Sequence, residues 1–109
     1  MPYNCYMEFI ETSLFSKLVY HYLDEDEYLG LQVYLVHYPD SGDVVPGSGG
    51  VRKIRWATRR KGKRGGIRVI YFWKAIDNEI WLLTVYAKGE REDIPAHILK
   101  QIAEEIKHV

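Results

Sequence analysis

The spacing of apolar residues changes near the middle of this chain, from the helical period of residues 14–38 to the alternation typical of strands. The change falls on the segment from Asp40 to Gly50, DSGDVVPGSGG, whose glycines and prolines are typical of a loop. Helices are therefore expected before this loop and most of a sheet after it, which predicts an α+β fold. At 109 residues the chain has the length of one domain, and we predict a single unit over residues 1–109.

The part before the loop is predicted to form a short strand and an αα-hairpin. The strand runs from Cys5 to Ile10, where aromatic and apolar side chains alternate loosely. Thr12 or Ser13 is placed to cap the first helix, and Asp24 with Glu27 has the spacing of a capping box that opens the second. The apolar residues at helical spacing are Leu14, Phe15, Leu18, Val19 and Tyr22 in the first helix and Tyr28, Leu31, Leu35 and Tyr38 in the second.

The part after the loop is predicted to form three strands and a helix. The strands are Val51 to Ala57, Ile67 to Trp73 and Ile80 to Ala87, and the helix follows Asp93 as its cap and Pro95 as its first residue. The middle strand is apolar almost throughout, as expected of a central strand covered on both faces. The predicted order is β-α-α-β-β-β-α, with a small mixed sheet and with the helices on one face of it.

Basic residues are concentrated in the strand region of a chain whose net charge is zero. Ten of them lie between Asp43 and Asp77, and no acidic residue lies among them. Nine of the ten are Arg52, Lys53, Arg55, Arg59, Arg60, Lys61, Lys63, Arg64 and Arg68. The first 43 residues hold eight acids against Lys17 alone. One concentrated positive region on a neutral protein favours binding of a polyanion at one place.

Strand alternation brings several of these bases to one face. Lys53 and Arg55 point away from Ile54 and Trp56 on the same strand. On the last strand Leu82, Thr84 and Tyr86 are predicted to share a face with Lys88. The bases expected to meet in one cationic groove are Lys53, Arg55, Arg68 and Lys88.

A cationic groove of this kind has two possible uses on RNA. It can bind phosphates, and it can stabilise the extra charge on a phosphorane when a 2′-hydroxyl attacks the neighbouring phosphodiester. The second use needs a group that accepts a proton, for which the candidates are a crowded lysine, Lys53 or Lys88, and Tyr86. Trp73 is a candidate for stacking on a base.

Other site classes find little support in the sequence. Cys5 is the single cysteine, so neither a disulfide framework nor a thiolate metal site is expected. The four histidines are scattered without ligand spacing, and no metal site or cofactor is predicted. No apolar run has the length of a membrane span and no signal pattern opens the chain, so we expect a cytoplasmic protein without a membrane partner.

Three motifs in the second part of the chain resemble those of the RelE/HigB-type toxins of bacterial type II toxin–antitoxin systems. They are G-G-x-R-K-x-R from Gly49, G-K-x-G-G-x-R-V-I-Y from Gly62 and L-L-x-x-Y-A-K-x-E from Leu82. The predicted order of elements is also the order of that family. The resemblance implies a ribosome-dependent endoribonuclease that enters the A site and cleaves mRNA without a metal, leaving a 2′,3′-cyclic phosphate. It implies a partner as well, a cognate antitoxin, HigA-like in this subfamily, whose helix-turn-helix domain binds DNA.

The resemblance also assigns roles to individual residues. Lys53 and Arg55 match basic positions on the strand that lines the mRNA, and Arg68 matches a phosphate-stabilising arginine. With Lys88 and Tyr86 they form the predicted catalytic set. The predicted RNA-binding residues are Arg52, Arg59, Arg60, Lys61, Lys63, Arg64 and Arg91.

Two positions depart from the family pattern. Many members have an arginine where this chain has Gly89, and a tyrosine ahead of the last helix where this chain has the segment Asp93-Ile94-Pro95. The proton-transfer role therefore falls to Tyr86 or to a lysine.

Two further interpretations stay open at this stage. One is a non-catalytic RNA- or ribosome-binding module on the same scaffold, which the missing tyrosine favours. The other is a small structural domain whose basic loop is only solvated. Loss of activity on Arg68→Ala with binding retained would distinguish catalysis from binding alone.

Overall fold

The computed structural model describes residues 6–59, 66–90 and 94–109, and these ranges contain five strands and three α-helices. In chain order the elements are β1 (Glu8–Glu11), α1 (Ser13–Tyr22), α2 (Glu25–His37), β2 (Asp43–Val44), β3 (Arg52–Trp56), β4 (Ile67–Lys74), β5 (Glu79–Ala87) and α3 (Ala96–Lys107). A 3-10 turn at Ala75–Asp77 joins β4 to β5. The predicted α+β class is confirmed, and the helices and the other four strands follow one another in the predicted order. The strand β2 was not predicted.

The sheet is mixed, as predicted. Its spatial order is β1-β5-β4-β3-β2, with β1 parallel to β5 and every other pair antiparallel. The central position of β4 agrees with its nearly continuous apolar sequence. The sequence analysis missed β2 because a strand of two residues is too short to show alternation.

The two caps predicted for the αα-hairpin are present. The hydroxyl of Thr12 accepts a hydrogen bond from the Phe15 N–H at 3.1 Å, which fixes the start of α1. At the start of α2, Asp24 Oδ1 accepts from the Glu27 N–H at 2.8 Å, and Glu27 Oε1 accepts from the Asp24 N–H at 3.0 Å. This reciprocal pair is the predicted capping box. The predicted cap of the last helix, Asp93, lies outside the described residues, as does Cys5.

One face of the sheet is covered by α1 and α2. The buried side chains of this layer are Phe15, Val19, Leu23, Tyr28, Leu31 and Leu35 from the helical part, packed on Ile54, Ile67, Val69, Tyr71, Ile80, Leu82 and Val85. Two residues predicted for the apolar helix faces, Leu14 and Tyr38, are instead exposed, at 42% and 56%. Leu14 lies in the first turn of α1, and Tyr38 lies directly after the end of α2.

The opposite face is covered by α3. Leu99, Ala103 and Ile106 of this helix are buried against a second set of sheet residues, which includes Ile70, Phe72 and Leu83. The prediction that all helices cover one face is therefore wrong. The physical reason is the apolar character of both sides of β4, since each side needs a layer to remove it from water.

A bulge in β5 changes which face its side chains point to. Ile70 pairs with Thr84 and the next residue, Tyr71, pairs with Leu82, so Leu83 is an extra residue on β5. Leu82 packs under α1 and α2, whereas Leu83 and Tyr86 pack on the α3 side. The prediction that Leu82 shares a face with Tyr86 is wrong for this reason. Thr12 Oγ1 donates to the carbonyl of the bulge residue at 2.8 Å.

Candidate functional site

Two arginines and a tyrosine form a row across three neighbouring strands on the α3 face of the sheet. Arg55 on β3 is paired in register with Arg68 on β4, and Arg68 is paired with Tyr86 on β5. Adjacent strands lie about 5 Å apart, so these side chains start within reach of one another. Arg55 is exposed and Arg68 is half-buried. Like charges at directly opposed positions cost stability, and an anion bound between them would remove that cost.

A second row lies two residues further along the same strands. It contains Lys53 on β3, Ile70 on β4 and Thr84 on β5. The edge strand β2 extends this row, because Asp43 is paired in register with Lys53. The surroundings of Lys53 therefore include a carboxylate, which the basic segment of the sequence does not suggest. We call the surface formed by these two rows the sheet groove.

The predicted convergence of bases is seen for three of the four residues. Lys53, Arg55 and Arg68 lie on the sheet groove, and Tyr86 forms its floor at 7% exposure. Lys88 lies one residue beyond β5 in an exposed turn, and its backbone N–H donates to the Gly66 carbonyl at 3.2 Å. It therefore borders the Arg68 end of the groove.

The turn that carries Lys88 is held by a neighbouring acid. Glu90 Oε1 accepts hydrogen bonds from the Ala87 N–H at 2.9 Å and from the Tyr22 hydroxyl at 2.8 Å. Gly66, directly before β4, has a φ of 78°. Its position leaves no space for a side chain, because an added Cβ would lie 2.5 Å from the Trp56 carbonyl oxygen. The chain is thus held in place directly after Tyr86 and directly before β4, the strand of Arg68.

A cavity of about 140 Å³ lies between the sheet groove and the start of α3. Its lining residues are Val45, Lys53, Ile70, Thr84, Tyr86, Ile94, Pro95, Ala96 and Leu99. Its walls are mainly apolar, with polar groups contributed by Lys53, Thr84 and Tyr86. The N-terminal end of α3 opens onto this cavity, and Pro95 at its N-cap makes no side-chain cap hydrogen bond. Helix N-termini carry partial positive charge, which adds to the positive charge of the groove.

Thr84 is a further candidate residue. The sequence predicted which face of the last strand it occupies but no role for it. It is 2% exposed, and its hydroxyl is buried without a hydrogen-bond partner. Thr84 shares the Tyr86 face through regular alternation, as the sequence predicted, whereas the sequence carries no signal for the bulge that turns Leu82 to the other face. After Glu79 at its start, Thr84 is the one residue of β5 with a small polar side chain, which is the available hint in the sequence.

Two of the predicted RNA-binding arginines make contacts within the protein. Arg52 lies on the other side of β3 from Lys53, and its guanidinium donates to the Asp40 carbonyl at 3.0 Å and to the Gly42 carbonyl at 2.8 Å. It thereby holds the segment that leads into β2.

Arg59 forms ion pairs with the N-terminal turn of α2. Its guanidinium contacts the Asp24 carboxylate at 2.8 Å and the Glu27 carboxylate at 3.7 Å. The hydrogen bond from the Glu27 N–H and that from Arg59 hold the pKa of Asp24 below its usual value. The other predicted RNA-binding residues lie outside the described ranges: Arg60, Lys61, Lys63, Arg64 and Arg91.

Trp73 lies on the α1/α2 side of the sheet, packed against the core of that layer. It is therefore not on the sheet groove, where a base-stacking residue was expected. In the described ranges, no group of three or more His, Cys, Asp or Glu residues is placed to hold a metal ion. Among the described helices, none combines the length and apolar character needed to cross a membrane.

Comparison with known proteins identifies the fold. No protein-family profile matches the sequence. The free form of E. coli toxin RelE, with two arginines replaced by alanine, superposes with a TM-score of 0.60 and 17% identity, covering 88% of this chain and 97% of that one. The toxin–antitoxin complex RelBE of E. coli gives a TM-score of 0.52 and 19% identity, covering 79% of this chain and 100% of the matched chain. The chain therefore has the RelE fold.

Proposed function

We propose that this protein is the toxin of a type II toxin–antitoxin system and that it cleaves mRNA on the ribosome without a metal. The single observation that carries the proposal is the Arg55–Arg68–Tyr86 row on the open part of the α3 face. The RelE fold and the motifs in the sequence support it. Fold alone does not define function, so the argument depends on the groove.

The groove offers the groups that such a cleavage requires. Attack of the 2′-hydroxyl on the adjacent phosphorus forms the P–O2′ bond and breaks the P–O5′ bond, giving a 2′,3′-cyclic phosphate and a 5′-hydroxyl. Extra negative charge builds on the non-bridging oxygens in the transition state. Arg55 and Arg68 are suited to stabilise it, because side chains of this length on paired strand positions can both reach one phosphate.

Proton transfer is proposed to use groups at the edges of this row. Lys53 or Tyr86 accepts the proton of the 2′-hydroxyl, and Lys88 at the Arg68 end donates a proton to the leaving 5′-oxygen. A general base must reach its proton directly or through one water, and both candidates line the same cavity. Cleavage therefore does not depend on a tyrosine ahead of α3.

A partner follows from the same proposal. One structural neighbour is an intact toxin–antitoxin complex. We propose a cognate antitoxin for this chain, HigA-like with a helix-turn-helix domain, through which alone the pair contacts DNA. The ribosomal A site and its mRNA are the proposed target, and the cytoplasm is the proposed compartment.

The proposal is tested by inducible expression in bacteria with primer extension on a reporter mRNA. Wild type is expected to arrest growth and to give discrete cuts that require translation. Arg68→Ala is expected to lower cleavage more than tenfold, the effect of losing about 1.4 kcal/mol of transition-state stabilisation. The matched control is Lys100→Ala, which removes an exposed base from α3 and should cut normally.

A non-catalytic RNA- or ribosome-binding module is the second candidate. The absence of a tyrosine in the segment Asp93-Ile94-Pro95 favours it. It predicts that the purified protein binds ribosomes while the reporter mRNA stays intact. Full cleavage by Arg68→Ala would contradict the proposed site, and intact mRNA with wild type would contradict the proposed activity.

A further inference from the structure

We infer that the cavity beside the sheet groove binds one nucleobase of the RNA and that Thr84 is the residue that hydrogen-bonds to it. This inference rests on the proposed function and extends it to a specificity-determining position. The base would enter between the groove and the start of α3, with its phosphate on the neighbouring arginines.

The first argument is the energetic cost of Thr84. Its hydroxyl is buried without a hydrogen-bond partner in a residue that is 2% exposed. An unsatisfied buried hydroxyl costs about 1–3 kcal/mol, and valine would fill nearly the same volume without that cost. Most buried polar groups in native proteins have a partner, so an exception that lines a cavity calls for a ligand. Rotation about χ1 moves the hydroxyl among the three staggered positions, and contact with a base requires the rotamer that presents it to the cavity.

The second argument is the composition of the cavity. Its walls include Val45, Ile70 and Leu99, and they suit a flat apolar ring better than an anion. Polar groups enter from Lys53 and Thr84, which lie in the same row across β3, β4 and β5. A nucleobase has this combination, with two apolar faces and a polar edge.

The third argument is the distance between the two rows. The Arg55–Arg68 row and the row of Thr84 are separated by two residues along each strand, which corresponds to about 7 Å. A single nucleotide can span this distance with its phosphate on the arginines and its base in the cavity. Thr84 has this position because it pairs with Ile70 in the same unbroken register in which Tyr86 pairs with Arg68, and the bulge at Leu83 lies on the far side of Thr84 from the arginine row.

The test compares Thr84→Val with Thr84→Ser. Methyl NMR on the purified protein follows Ile70 and Leu99 during titration with the four nucleoside 3′-monophosphates, and ribose 5-phosphate serves as the probe that lacks a base. Wild type and Thr84→Ser should show saturating shifts with at least one nucleotide and none with ribose 5-phosphate. Thr84→Val should bind about fivefold more weakly, because it lacks the hydrogen bond to the ligand. It should also melt at a higher temperature, because the free variant no longer buries an unsatisfied hydroxyl.

Two results would overturn the inference. One is equal binding by Thr84→Val and wild type, and the other is an equal response to ribose 5-phosphate. Primer extension with Thr84→Val separates this inference from the proposed function. If wild type cuts mRNA and the variant cuts the same positions with the same relative frequencies, the base pocket is wrong and the nuclease stands. If wild type binds nucleotides through Thr84 but never cuts, the pocket stands and the nuclease is wrong.

Discussion

The two faces of the sheet are covered to different extents. On one face α1 and α2 enclose a core in which Phe15, Leu31 and Tyr71 have no exposed surface. On the other face α3 covers Phe72 and Leu83, whereas Arg55 on the same side is exposed and Arg68 is half-buried. The first face consists of packed apolar side chains, and the second combines a smaller core with a cavity and a charged row.

This difference separates stability from binding within one sheet. The enclosed face removes apolar surface from water, which is the main favourable contribution to folding. The half-covered face leaves polar and charged groups accessible, as the proposed RNA-binding role requires. Alternation along each strand makes the division possible, because neighbouring residues such as Arg52 and Lys53 point to opposite faces.

The comparison is tested most strongly by truncating one leucine on each face. Leu31→Ala is expected to lower the free energy of unfolding by about 4 kcal/mol, because the enclosed site cannot collapse or fill with water. Leu99→Ala is expected to cost about 2 kcal/mol, since the new space joins an existing cavity. Urea denaturation of both variants measures the two losses. Equal losses would mean that the α3 face is as closely packed as the other.

Arg55 and Arg52 provide a matched pair on one strand. We expect Arg55→Ala to reduce mRNA cleavage more than tenfold at unchanged thermal stability, because it removes a phosphate-binding charge from the groove. Arg52→Ala should lower the free energy of unfolding by about 1 kcal/mol through loss of its contacts with the Asp40 and Gly42 carbonyls. Cleavage assays and thermal melts on both proteins check this. Equal loss of cleavage in the two variants would remove the distinction between the faces.

Tyr28 tests the polar part of the enclosed face. Its hydroxyl donates to Glu11 Oε2 at 2.6 Å, and burial, followed by this hydrogen bond, raises the pKa of Tyr28 well above its usual value. Its contribution to stability is complete below the unfolded pKa of about 10 and is lost above it, where the unfolded chain alone ionises. Tyr28→Phe should lower stability by about 1.5 kcal/mol at neutral pH.

The same variant should also lose less stability than wild type between neutral pH and pH values above about 10. Urea denaturation at several pH values gives both quantities. A parallel alkaline decline in the two proteins would show that Tyr28 ionises as readily in the folded state as in the unfolded one.

The smallest effect on RNA binding is expected for Arg59, which follows β3 and contacts the N-terminal turn of α2. Its charge is already paired with Asp24 and Glu27. We therefore expect Arg59→Ala to change RNA affinity less than Arg55→Ala does. The slope of the logarithm of the binding constant against the logarithm of the salt concentration should fall by less than the value for one released counterion. Fluorescence titrations at several salt concentrations measure this. A larger effect at Arg59 would mean that it exchanges its acidic partners for phosphate when RNA binds.

The local elements of the fold could be predicted from short stretches of sequence. The capping box of Asp24 and Glu27 and the cap at Thr12 each join residues three positions apart. Such contacts can be predicted from the local sequence alone. The strands β3, β4 and β5 could be predicted for the same reason, because alternation and apolar runs are local patterns.

Part of the candidate site could be predicted in the same way. The common orientation of Lys53 and Arg55 follows from strand alternation alone. The cross-strand pairing of Arg55 with Arg68 follows once β3 pairs with β4, and the single loop that joins these two strands made that pairing the simplest expectation. The position of Asp43 beside Lys53 could not be predicted, since β2 contains only two residues and is defined by its partner strand.

The sequence by itself determined the helices, the three long strands and the concentration of positive charge on one part of the chain. The tertiary structure alone decided that α3 lies opposite α1 and α2, that the β5 bulge places Leu83 on the same face as Tyr86 and Leu82 on the other, and that Arg52 and Arg59 bind within the protein. The physical reason is the range of the interactions. Caps and alternation depend on neighbours in sequence, whereas the side of a sheet that a helix covers depends on apolar surface contributed by distant strands.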